Sequence, residues 1–241
     1  MTSKGYKRFK NRLEYFRTDN EVAEILLLNK EVLAGESSIF KRVTHDKHPL
    51  LFKRTNTVGS RNIVVSHLRK TIYVAFIKDM YEEVTEYIQY ILQQGAMNGA
   101  DTQRLVGEHN IEMTANDILS KNNKKEIVQA VMSQIFRQLE NKQSTMKLLS
   151  SIKRKLDLTI DQTLIDRALA FLEIRHIFVH ADGKPDQVFL DKYPDIRLDN
   201  KERILLNSTF AQEAYMAIHD LILAIDREMI DRNYISASEL S

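Results

Sequence analysis

The stretch Tyr73-Val74-Ala75-Phe76-Ile77-Lys78-Asp79-Met80-Tyr81-Glu82-Glu83-Val84-Thr85-Glu86-Tyr87-Ile88-Gln89-Tyr90-Ile91 repeats apolar side chains at Tyr73, Ile77, Met80, Val84, Tyr87 and Ile91. Their spacings alternate between four and three, the seam of a long helix packed lengthwise in a bundle. The pattern predicts a helix from near Ser60 to about Gln94, with Asp79, Glu83 and Glu86 as an acidic stripe beside the seam. Such stripes are ordinarily solvated, yet Asp79 borders the apolar positions and is expected within reach of an interior cation.

Toward the N-terminus, Ser3 to Thr18 is a basic amphipathic stretch, with Lys4, Lys7, Arg8, Lys10, Arg12 and Arg17 around Tyr6, Phe9, Leu13 and Phe16. Steps of three, four and three make it helical. A second helix is expected from Asp19, an N-cap residue, through Val22, Ile25, Leu26 and Leu28 to a stop at Gly35. From Glu36 to Gly59 the pattern fades into a loop or short helical turns. Toward the C-terminus, residues 96 to 120 read as a polar connection with a short helix or two, one opening on a capping-box-like Thr114 and Asp117. Helices are expected at Lys124 to Asn141 and Met146 to Leu156, from a capping box of Thr159 with Gln162 to His180, and from Ser208 onward. Asp182 and Gly183 stop the third of these, and residues 184 to 207 are short extended pieces or a turn of helix.

The fold class is therefore all-α: a helical bundle with a long central helix and an N-terminal helical extension, divided into a basic extension over 1–59 and the bundle over 60–241. Composition agrees. The chain has 241 residues, 43% of them hydrophobic and 28% charged, enough for one medium domain with a sizeable core. Only 7 glycines and 3 prolines argue against a turn-rich sandwich or barrel. Without cysteine there is no disulfide, thiol nucleophile or thiolate metal site, and no glycine-rich phosphate loop is found. No uncharged apolar run approaches the roughly 18 residues of a membrane span, and no secretory signal opens the chain, so the expected setting is cytoplasmic, without a membrane partner.

A net charge of +2 hides an asymmetry, for residues 1 to 78 hold 16 Lys or Arg against 7 Asp or Glu. Between Asp46 and Asp79 there is no acid, while Lys47, Lys53, Arg54, Arg61, Arg69, Lys70 and Lys78 fall inside the window. Such a surface favours phosphate-rich partners through counterion release, with a solvated basic face as the plainer reading. Arg61, Arg69 and Lys70 are the candidate RNA contacts.

One segment carries chemistry: Phe171-Leu172-Glu173-Ile174-Arg175-His176-Ile177-Phe178-Val179-His180-Ala181-Asp182-Gly183. At about 100° per residue, Arg175, His176 and His180 share a polar arc at the end of an otherwise apolar helix. A guanidinium fork matches phosphate oxygens, and an imidazole moves a proton near neutral pH. The plainer reading of such residues is capping of helix carbonyls or surface pairing. Glu173, His176 and His180 also have the spacing of metal ligands on one helix face, but a zinc site needs another ligand, which His45, His48 or His109 would have to bring from distant loops. No metal and no cofactor is expected.

With Arg175 and His180 separated by four residues in this context, the sequence resembles the HEPN superfamily, small all-α domains whose signature is an Arg, four to six residues, then His. The likeness covers roughly residues 60 to 235 and is nearest to bacterial members linked to phage defence and toxin–antitoxin systems. It implies a metal-independent endoribonuclease, with Arg175 and His180 catalytic and the site completed across a homodimer interface. RNA would be the substrate, cut to 2′,3′-cyclic phosphate and 5′-hydroxyl ends, and a protein or RNA inhibitor (an antitoxin) would restrain it. His176 and Asp79 would support the site, His176 by positioning the phosphate or orienting Arg175 and Asp79 by holding either of these cationic side chains. The alternative is a non-catalytic helical module that binds nucleotide or RNA, or dimerises within a defence complex.

Overall fold

The computed structural model describes residues 1–28, 42–53, 57–107, 109, 111–142 and 144–241, with backbone alone at 26–28, 61 and 142. The helices in chain order are α1 (Lys4–Leu28), α2 (Pro49–Phe52), α3 (Val58–Met97), α4 (Thr102–Val106), α5 (Ala115–Leu119), α6 (Lys124–Lys142), α7 (Thr145–Lys155), α8 (Gln162–His180), α9 (Gln187–Lys192) and α10 (Ser208–Asp231). Among the described residues there is no sheet; extended pairing is confined to isolated bridges, Ser3 with Leu240 and Leu198 with Ile204. The protein is all-α. Among the described residues no helix is long and apolar enough to cross a membrane.

Helix α3 is the axis. Its 40 residues run about 60 Å at 1.5 Å per residue, and each of Tyr73, Ile77, Met80, Val84, Tyr87 and Ile91 is no more than 2% exposed. Helices α1, α6, α8 and α10 pack around it. Thr57 starts it by accepting the Ser60 N–H at 3.1 Å, leaving the first turn with a satisfied donor. The end lies beyond the expected Gln94: Gly95 is buried against Leu156 inside the helix and does not break it.

Two other expectations are corrected. Asp19 caps nothing, because α1 is one helix through that position, its inner face continuing from Tyr6, Phe9 and Leu13 to Asn20 and Glu24. Glu24 accepts a hydrogen bond from the Tyr73 hydroxyl at 3.0 Å, which ties the second half of α1 to α3 and makes a break at Asp19 unnecessary. The stop expected at Gly35 lies outside the described residues. Nor does Thr159 open α8, whose N-cap is Asp161, accepting from the Thr163 N–H at 2.9 Å. Thr159 instead donates its N–H and hydroxyl to Glu228 of α10. By contrast, the Thr114 and Asp117 capping box forms as expected.

The segment read as an extension contributes Tyr6, Phe9 and Leu13 to the core that holds the α3 seam. A fully buried carboxylate, Asp226 of α10, accepts hydrogen bonds from the Ser3 N–H at 2.8 Å, the Ser3 hydroxyl and the Tyr87 hydroxyl at 2.9 Å. Three donors replace the water that a buried carboxylate would otherwise lose. Burial and the neighbouring Asp226 both push the Tyr87 hydroxyl well above its ordinary pKa, so it remains a donor.

Candidate functional site

Helix α8 turns one face inward, with Leu172, Ile174 and Ile177 buried, which leaves His176, Val179 and His180 exposed at its last turn. The ring centroids of His176 and His180 are 4.3 Å apart and tilted by 47°. Their spacing of four sets this contact, since residues four apart are neighbours on a helix surface. Arg175 goes elsewhere. Its guanidinium lies over the ring of Tyr81 on α3, 4.4 Å from the centroid, and is partly buried. Burial, reinforced by Glu140, holds the Tyr81 hydroxyl above its ordinary pKa, while Arg175 and Thr145 oppose the shift. Among the described residues Arg175 makes no hydrogen bond, ion pair or ring contact with either imidazole.

The turn after α8 is fixed from three sides. Asp182 and Gly183 adopt positive φ, 52° and 84°, so the helix cannot continue. Gly183 is required twice over, by that φ and because a Cβ there would come within 2.6 Å of the Phe178 ring. The Asp182 carboxylate pairs with Lys70 of α3 and with Arg203 at 2.8 Å, and the Ile204 N–H donates to the Gly183 carbonyl at 2.9 Å. Lys70, then Arg203, hold the exposed Asp182 carboxyl below the usual carboxylate range.

Asp79, expected to support the site, is placed away from it. It lies two residues before Tyr81, about 200° round α3, and four before Glu83, so it shares the face that meets Arg12 of α1. Burial, and after it Glu82, raises the Asp79 pKa against the opposing pull of Lys78. Of the expected RNA contacts, Lys70 is engaged by Asp182 and Arg69 by Glu24, Nε to Oε1 at 3.1 Å. The Arg61 side chain lies outside the described residues.

Glu173 does not join the imidazoles either, because it accepts from Lys192 at 3.0 Å and from the Tyr193 hydroxyl at 2.9 Å. His109 meets Gln138 at 3.1 Å and His45 lies 3.7 Å from Asp46. Among the described residues no three His, Asp or Glu side chains gather as a metal site.

Two participants escaped the sequence. Tyr81 sits one position off the α3 seam, and nothing in the periodicity marks it as the platform for a guanidinium 94 residues on. Asp182 was legible only as a helix stop; its pairing with Lys70 joins residues distant in sequence. Comparison of the chain with protein-family models, curated proteins and solved structures found no match.

Proposed function

We propose that the protein is a metal-independent endoribonuclease of HEPN type, of the toxin or abortive-infection kind, acting on RNA in the cytoplasm as a homodimer. The observation that carries the reading is the pair of exposed imidazoles, His176 and His180, 4.3 Å apart at the end of α8, the helix that also carries Arg175. In this reading His180 accepts the proton of a ribose 2′-hydroxyl as its oxygen attacks the phosphorus, and the partner protomer's copy of the same imidazole protonates the departing 5′-oxygen. The phosphorus–oxygen bond to the 5′ side breaks, leaving a 2′,3′-cyclic phosphate and a 5′-hydroxyl. Arg175, swung from Tyr81 or contributed by the second protomer, neutralises charge on the phosphoryl oxygens. A toxin-like nuclease of this kind requires an inhibitor, protein or RNA.

The purified protein should cut RNA with EDTA present, spare DNA, and lose at least about a hundredfold in rate on His180→Ala or Arg175→Ala while its helical circular dichroism is retained. Cleavage abolished by EDTA, or unaffected by either substitution, overturns the reading.

One observation favours a second reading. The Arg175 guanidinium rests on an aromatic face, a contact worth on the order of 0.5–2 kcal/mol to the fold. This is what a non-catalytic helical binding or dimerisation module would show. In that case the same substitutions weaken RNA affinity and no cyclic-phosphate ends form.

A further inference from the structure

A groove of about 640 Å³ runs along the first half of α1. Three helical stripes line it: Lys4, Lys7, Arg8 and Asn11 from α1, Tyr90, Gln93 and Gln94 from α3, and Lys125 with Gln129 from α6. Each stripe follows the three-and-four spacing of a single helix face, so the lining is a property of the packed helices and not of a loop. A smaller cavity of about 220 Å³ continues it past Arg8 and Tyr90.

The charge in this groove is unspent. Elsewhere on α1 the cations are taken: Arg12 by Glu83 and Glu86, Lys10 by Glu14, and Arg17 by Glu21. In the groove, Lys7, Arg8 and Lys125 are exposed and form no ion pair among the described residues. Arg8 stands 5.6 Å over the Tyr90 ring, which fixes its position without using its N–H donors. The Lys4 ammonium donates to the Ser238 carbonyl at 2.7 Å and keeps its charge. Glu239 is the one carboxylate opposite four cations in the lining.

We infer that this groove is a binding track for a single-stranded nucleic acid, separate from the α8 motif. The cations meet the phosphates, and the α1 stripe from Lys4 to Asn11, about 10 Å long, spans about three stacked nucleotides. Asn11, Gln93 and Gln129 make no side-chain hydrogen bond among the described residues, and each amide offers both donor and acceptor to a base edge. A membrane surface fits poorly, because the face is concave and no exposed aliphatic side chain lines it to insert. The groove also lies across α3 from the motif, since Tyr90 is nine residues beyond Tyr81, half a revolution round and about 13 Å along.

The test uses oligonucleotides that the proposed nuclease chemistry cannot cut, so it stands apart from that reading. Fluorescein-labelled dodecamers of deoxythymidine and of 2′-O-methyluridine are titrated with the full chain between about 50 and about 200 mM salt, and anisotropy is read. Binding of either dodecamer is expected to fall at least about tenfold in Lys7→Glu/Arg8→Glu/Lys125→Glu, with the logarithmic salt slope flattened by about 2 for three lost phosphate contacts. The charge-matched variant Lys147→Glu/Arg167→Glu/Lys201→Glu, which reverses three exposed cations outside the groove, should bind as the parent does. The relative affinities of the two dodecamers say whether RNA or DNA is the preferred strand. The inference is overturned if the triple variant binds like the parent, if neither dodecamer binds, or if a labelled polyglutamate peptide of equal charge binds as tightly and is lost with the same substitutions.

Discussion

Arg12 holds two carboxylates of α3, Glu83 at 2.7 Å and Glu86 at 3.2 Å, but only Glu83 is buried, its side chain 9% exposed. Burial raises the Glu83 pKa, and the hydrogen bond and charge of Arg12 pull it back without cancelling the shift. The Arg12 guanidinium is raised in turn, mainly by that hydrogen bond. Removing the guanidinium leaves an unpaired carboxylate in a desolvated position. Arg12→Ala should therefore cost about 1–3 kcal/mol at neutral pH in urea denaturation. The sign with pH follows from the direction of the shift. A carboxyl whose folded pKa lies above its unfolded value binds its proton more tightly when folded, so the penalty is full above the folded pKa and shrinks as pH falls toward the ordinary glutamate value. A penalty that grows on acidification would remove Glu83 as the cause. The same residues show the limit of reading charge from sequence: Arg12 and Lys7 belong to one basic stretch, and only the approach of α3 spends one and leaves the other free.

At the scale of elements, α1 meets α3 through its smallest residue. A Cβ on Gly5 would lie 2.2 Å from the Tyr90 ring, so the two helices approach as closely as glycine allows. Alanine in a helix interior normally gains about 1 kcal/mol over glycine, and overpacking costs about 1–3 kcal/mol. Tyr90 is also held by Arg8 above it and by its hydroxyl contact with Glu239, contacts that a retreat of the ring would break. Gly5→Ala is therefore expected to lower stability, seen as an earlier thermal midpoint, and an unchanged or raised midpoint would show that the ring moves freely. The boundaries of these elements were legible where the signal is local, as in the α3 seam and the Thr114–Asp117 box. They were not where a distant partner decides: Thr159 looks like an N-cap until Glu228 of α10 takes its donors, and Asp19 looks like one until Glu24 binds across to Tyr73.

Across the whole molecule, the core runs without interruption from Tyr6 on α1 through the α3 seam to Met229 on α10. Asp226 joins the first residues of the chain to α3 and α10. A core shared in this way should unfold in one cooperative step. Far-ultraviolet circular dichroism and tyrosine fluorescence are thus expected to give coincident urea transitions. An earlier, separate loss of helix would mark the residues before 60 as an independent unit.

What the sequence determined by itself is the all-α class, the long axial helix and the position of Arg175, His176 and His180 at the end of a helix, because hydrophobic period and helix stops act between residues a few positions apart. Tertiary structure alone decided the partners. That Arg175 lies on Tyr81, that Lys70 and Arg69 are spent on Asp182 and Glu24, and that Lys7, Arg8 and Lys125 converge unspent on one groove are consequences of which helix faces meet. Coulomb and ring contacts act across a few ångströms of space irrespective of separation along the chain, and a one-dimensional pattern does not encode that distance.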